Sequence, residues 1–168
     1  MTSYQYRSLA AESDWPFFDL DCTIPESEKA LIWPFTEASA RLFWQTYVSS
    51  KPLEHHPMLL PKCHWLTPTI QGPSWLVEQG PSRLVRSEGQ DVASFLNSSF
   101  CLSSDERVYF VLMREHVYSV PMSLFACHWE DFLFLGDEGP FLFHPDTKAF
   151  ACFGPNGQLL FGKQTDNG

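Results

Sequence analysis

The run Val108-Tyr-Phe-Val-Leu-Met113 restricts the fold of this chain more than any other stretch. Side chains alternate between faces along a strand, so Val108, Phe110 and Leu112 point one way and Tyr109, Val111 and Met113 the other. Both sets are apolar or aromatic. A strand of that kind belongs inside a sheet covered on both sides, so Arg107–Met113 is expected to be an interior strand. Three further strand-like runs follow: Pro140–Phe143, Lys148–Phe153 and Gln158–Phe161. They are separated by His144-Pro-Asp-Thr147 and Gly154-Pro-Asn-Gly157, and Asn156-Gly157 suits the left-handed backbone of a tight hairpin. These runs also carry apolar residues on both faces. The second face needs cover from the aromatic, proline-rich segment upstream or from another subunit, and intrachain cover is the favoured expectation.

Helical signals surround these strands. Met122, Phe125, Ala126, Trp129, Phe132 and Leu133 recur at helical spacing, which predicts one helix from about Val120 to Leu133. Thr36 is placed as an N-cap with Glu37 at the positive end of the dipole, and Ala40, Phe43, Trp44 and Tyr47 form the apolar face of that helix. Thr23-Ile-Pro-Glu26 has capping-box spacing and predicts a helix that stops near Trp33, because Pro34 follows. Ser87 and Gln90 show the same spacing ahead of a short helix with Val92, Phe95 and Leu96. Tyr4–Leu9 reads as a short opening strand. Residues 49–86 hold Pro52, Pro57, Pro61, Pro68, Pro73 and Pro81 with Gly72 and Gly80. That punctuation predicts irregular chain with short extended pieces near Cys63–Trp65 and Ser74–Val77, pinned by Trp65 and Trp75. Strands late and helices mainly early predict a single α+β domain over residues 1–168, with a C-terminal antiparallel sheet of hairpins packed against several short helices.

Charge narrows the function. The 168 residues carry 11 Lys and Arg against 20 Asp and Glu, a net charge of -9. Phosphate contacts need a basic footprint, so nucleic acid and anionic membrane surfaces are poor partners. No apolar run approaches the ~20 residues of a spanning helix. The N-terminus lacks the charged start and apolar core of a secretory signal, and five scattered cysteines with no Cys-x-x-Cys pair suggest reduced thiols, so a cytoplasmic protein is expected.

From Glu115 to Thr147 there is no Lys or Arg, while Glu130, Asp131, Asp137 and Glu138 fall within nine residues. Either this is a solvated acidic loop, or it is a surface for a basic protein partner. Asp137-Glu-Gly139 lacks the ligand spacing of a calcium loop, so no metal is expected there. Cys127, His128 and Asp131 invite a nucleophile-base-orienter reading. However, Cys127 and His128 are neighbours that do not face each other, whereas His128 and Asp131 can pair at i,i+3 on the surface. His55-His56, Cys63-His64 and His144-x-Asp146 have no recognised metal spacing. Phosphate-loop, dinucleotide-binding and nucleophile-elbow motifs are missing from the sequence, so no cofactor is expected.

Trp15 before an aromatic segment, Pro34-x-Thr36-Glu37 leading to Ala40 and Trp44, and Lys62-x-x-Trp65 form a recognisable set. Trp129-x-x-Phe-Leu-Phe134, then Asp137-Glu-Gly-Pro140, Gly157 and Gly162, complete it. On these residues the chain, from Trp15 to about Gly162, resembles a family of small uncharacterised bacterial proteins known only as a domain of unknown function. The resemblance implies no activity, cofactor or ligand.

The leading expectation is therefore a non-enzymatic cytosolic interaction protein that engages a basic protein through Glu130, Asp131, Asp137 and Glu138, with an immunity- or antitoxin-like role as one form. The alternative is a small enzyme or metal-binding protein that brings His128, Asp131, His144 and Asp146 together. A homodimer with paired sheet faces is a third arrangement.

Overall fold

In the computed structural model, residues 3–10, 14–67, 84–85, 91–136, 139–153 and 159–164 are described, and the statements below concern these. The expected features at Ser74–Val77, Trp75, the Ser87–Gln90 cap and the Asn156–Gly157 turn lie outside them.

The core is a seven-stranded antiparallel sheet in the order β1-β4-β3-β5-β6-β7-β2. Its strands are β1 (Trp33–Pro34), β2 (Leu84–Val85), β3 (Arg107–Met113), β4 (His116–Pro121), β5 (Phe141–His144), β6 (Ala149–Phe153) and β7 (Leu159–Lys163). β3 has the expected bounds and lies inside the sheet, paired with β4 through Phe110↔Tyr118 and with β5 through Phe110↔Leu142. The architecture is α+β, with most strands in the C-terminal half.

Each face of the sheet has its own core. On one, Val108, Phe110, Tyr118, Leu142, Ala151 and Phe161 pack with Phe17, Ile24 and Ile32. Three helices cover this face: α3 (Val92–Phe100), α4 (Met122–Cys127) and α5 (Trp129–Leu133). On the other, Val111, Val117, Phe141, Phe143, Phe150 and Cys152 meet α2 (Glu37–Tyr47), Leu60 and Leu66, with Trp65 against them. The second face is thus covered from within the chain, by α2 and by the first part of the proline-rich segment.

Local chemistry explains α2. The Thr36 side chain accepts from the Ser39 amide at 3.3 Å, Glu37 occupies the first turn, and Ala40, Phe43 and Trp44 are buried on one side. The fold departs from the sequence reading in several places, and Cys63–Trp65 is a turn rather than an extended piece. The expected helix over 120–133 is two helices, because His128 (φ -123°, ψ 28°) leaves the helical region. Both pieces still face the core, so the apolar periodicity runs through the break. The region before it is β4 rather than helix. The expected helix up to Trp33 is a single turn, α1 (Glu26–Lys29), capped at Pro25 without a side-chain bond. The Thr23 hydroxyl is engaged elsewhere. Finally, Tyr4–Leu9 forms no strand and contributes one bridge, Tyr6↔Phe35.

Candidate functional site

Thr23 leads to the site. Its hydroxyl lies 2.7 Å from Asp131 Oδ2 and 2.8 Å from His128 Nδ1, and its amide donates to Asp131 Oδ1 at 3.2 Å. A carboxylate can only accept, so the single hydroxyl proton goes to Asp131 and His128 Nδ1–H donates to Thr23. The ring therefore carries a proton on Nδ1, and its Nε2 lies 3.8 Å from Glu28 Oε2.

Asp131 is 5% exposed, not the surface carboxylate expected from helical spacing. The helix break at His128 turns α5 so that Asp131 points inward beside Phe132, towards the chain around Thr23. Glu130 is exposed, while Asp137 and Glu138 lie outside the described residues. Among the described residues no Lys or Arg stands within 4.0 Å of Asp131, and the only ion-pair neighbour is His128 at 3.7 Å.

The buried carboxylate borders a pocket of about 160 Å³ lined by Trp15, Pro16, Asp19, Asp21, Cys22, Asp131 and Phe134. Trp15 is 54% and Phe134 68% exposed. Asp19 and Asp21 are exposed as well. Trp15 opens a short 3-10 turn, Trp15–Phe18, that buries Pro16 and Phe17 and leaves Trp15 and Phe18 outside. The sequence is most acidic in residues 1–40 and 129–168, and this pocket is where those two regions meet. Sequence reasoning missed Trp15, Asp19, Asp21, Cys22 and Thr23, since only the tertiary contact across 108 residues joins them to Asp131.

Chemically the pocket can hold a cation. It is poorly arranged for a thiol nucleophile: burial pushes the Cys22 thiol up, and the nearby Asp131 charge adds to the effect. Cys127 is exposed on α4. His144 and Asp146 do not join His128 and Asp131. They line a separate cleft with Tyr4, Tyr47, Tyr109 and Arg107, where His144 Nδ1 is 3.0 Å from the Thr147 hydroxyl. The four residues of the alternative reading therefore form two separate pairs. Among the described residues no group of three or more His, Cys, Asp or Glu is placed to hold a metal ion, and no helix is long and apolar enough to cross a membrane.

No curated protein and no solved structure matches this chain. The family model described as "Protein of unknown function (DUF2947)" matches residues 6–162, nearly the whole sequence, and the chain belongs to that family.

Proposed function

We propose that this protein is a non-enzymatic interaction module that takes a Lys or Arg side chain of a basic protein partner into the Trp15–Phe134 pocket. The observation that carries the reading is Asp131: a buried carboxylate, held by Thr23, with no Lys or Arg beside it among the described residues. Among the described residues only His128 stands within ion-pair distance of this carboxylate, and an arriving Lys or Arg adds a permanent positive charge to it in a partly desolvated setting. Around it, the exposed rings of Trp15 and Phe134 form an apolar lining of the kind that marks contact sites, and aromatic anchors commonly carry interface energy. Asp19, Asp21 and Glu130 add exposed negative charge, and the net charge of -9 steers a basic partner towards it. An immunity- or antitoxin-like protein is one such module. None of the five cysteines is in a disulfide, which suits a reducing, cytoplasmic setting.

The enzyme reading has one feature in its favour, a His128 ring whose Nδ1 is held by Thr23. Against it stand the raised Cys22 thiol and the placement of His144 and Asp146 at another cleft.

The test is a titration of a fluorescent Lys/Arg-rich peptide against the wild type, Asp131→Asn and Trp15→Ala. Saturable binding that weakens with salt and falls at least tenfold in both variants supports the proposal. Equal binding by all three proteins would remove the pocket from the account.

A further inference from the structure

Four of the five tyrosines in the chain, Tyr4, Tyr6, Tyr47 and Tyr109, line one cleft of about 580 Å³ together with Arg107, His144 and Asp146. One buried polar group of this cleft is a hydrogen-bond donor without an acceptor among the described residues. The Tyr4 hydroxyl is buried and has no hydrogen-bond partner among the described residues. Tyr47 is near enough to influence its ionisation but lies outside bonding geometry. Burial, with the neighbouring phenols adding to it, holds Tyr4 well above the usual phenol range and pushes Tyr109 up to about 12. Both therefore remain O–H donors at any physiological pH.

His144 is 6% exposed. The Thr147 amide donates to its Nδ1 at 3.3 Å, so the neutral ring carries its proton on Nε2, for which the described residues provide no acceptor. Arg107 spends Nε on the Ser119 hydroxyl at 2.8 Å and Nη2 on the carbonyls of Leu31 (2.6 Å) and Ser119 (2.7 Å), while Nη1 is left over. Its guanidinium lies 3.5 Å from the centre of the Trp33 ring and pairs with no carboxylate among the described residues. Glu106, its neighbour in sequence, is turned instead to the Ser103 amide and hydroxyl at 2.7 and 2.9 Å. A half-buried cation that pairs with no carboxylate among the described residues, lining one cleft with a partnerless phenol and an imidazole N–H, has the chemistry of an oxyanion site.

We infer that this cleft binds a small organic monocarboxylate, with the carboxylate on Arg107, Tyr4 and His144 and the apolar body against the tyrosine rings. One unpaired guanidinium balances one negative charge. Glu106 and Asp146 are exposed and line the same cleft, so repulsion grows with the charge of the ligand and disfavours a doubly charged phosphate most. The site is distinct from the Trp15–Phe134 pocket and does not depend on the reading given for that pocket.

NMR titration of the full chain with benzoate, benzamide and inorganic phosphate tests the inference. Benzoate is expected to produce saturable shifts at His144, Tyr4 and Arg107, whereas benzamide and phosphate at equal concentration do not. Tyr4→Phe removes only the partnerless hydroxyl, so benzoate affinity should fall about tenfold with no drop in the thermal midpoint. Arg107→Lys keeps the charge and loses the fork, and should weaken benzoate in the same way. Any of three results overturns the site: benzamide or phosphate binding as well as benzoate, no saturable benzoate shift up to about 20 mM, or a Tyr4→Phe protein that melts lower yet binds benzoate unchanged.

Discussion

The Thr23 hydroxyl donates to the Asp131 carboxylate at 2.7 Å across 108 residues of chain. This bond ties the loop before α1 to the start of α5 and turns an acid of a short surface helix into the buried floor of a pocket. Replacing Thr23 with the isosteric Val keeps the shape and removes the hydroxyl. Leaving that carboxylate with only the backbone amide should cost about 1–3 kcal/mol in urea unfolding. The double variant Thr23→Val/Asp131→Asn should lose less than the sum of the singles, since the two side chains act through one contact. Strict additivity would show that the bond contributes nothing.

Asp14 anchors the same end of the molecule. It is fully buried and accepts from Arg7 Nη1 (2.5 Å) and Nη2 (2.9 Å), the Tyr118 hydroxyl (2.7 Å) and the Ala10 amide (2.8 Å). Burial alone would raise its pKa, but the bonds from Arg7, Ala10 and Tyr118 outweigh burial and hold it below the usual carboxylate range. A carboxylate depressed on folding stabilises the protein above its unfolded pKa, about 3.9, and that stability drains away as pH falls towards the folded value. Wild-type stability should therefore decline below about pH 4, and Asp14→Asn should be less stable at pH 7 with a flatter acid limb. Arg7 keeps 31% of its side chain in water, which places the loss at the low end of the about 3–5 kcal/mol for breaking a buried pair. Parallel acid limbs in the two proteins would contradict the assignment.

Gly162 on β7 faces Phe150 across the β6–β7 pair. A Cβ there would stand 2.6 Å from the tip of the Phe150 ring, which is itself fully buried between Trp65 and the sheet. Gly162→Ala should cost about 1–3 kcal/mol by overpacking. Combining it with Phe150→Leu should recover part of that loss, as thermal denaturation of the three variants would show.

What sequence revealed here was local. Thr36 caps α2 because its partner, the Ser39 amide, is three residues away, and β3 is readable because both its faces are apolar within seven residues. Thr23 misled for the opposite reason. Its spacing to Glu26 has the form of a cap, but Asp131 takes the hydroxyl from the far end of the chain. Periodicity hid the break at His128, since α4 and α5 both bury their apolar sides in the same core. Neither cleft was legible, because Trp15, Asp131 and Phe134, like Tyr4, Tyr47, Arg107 and His144, meet only in the folded chain.

The most direct measurement of the central claim is an NMR comparison of a short arginine peptide with its citrulline analogue, which has the same shape and no charge. Capture of a basic side chain by Asp131 requires the arginine peptide to shift the Trp15 indole and the Thr23 amide saturably. The citrulline peptide should leave them still, and Asp131→Asn should abolish the response. Equal shifts from both peptides, or an arginine response scattered over exposed acids and indifferent to Asp131→Asn, would contradict it.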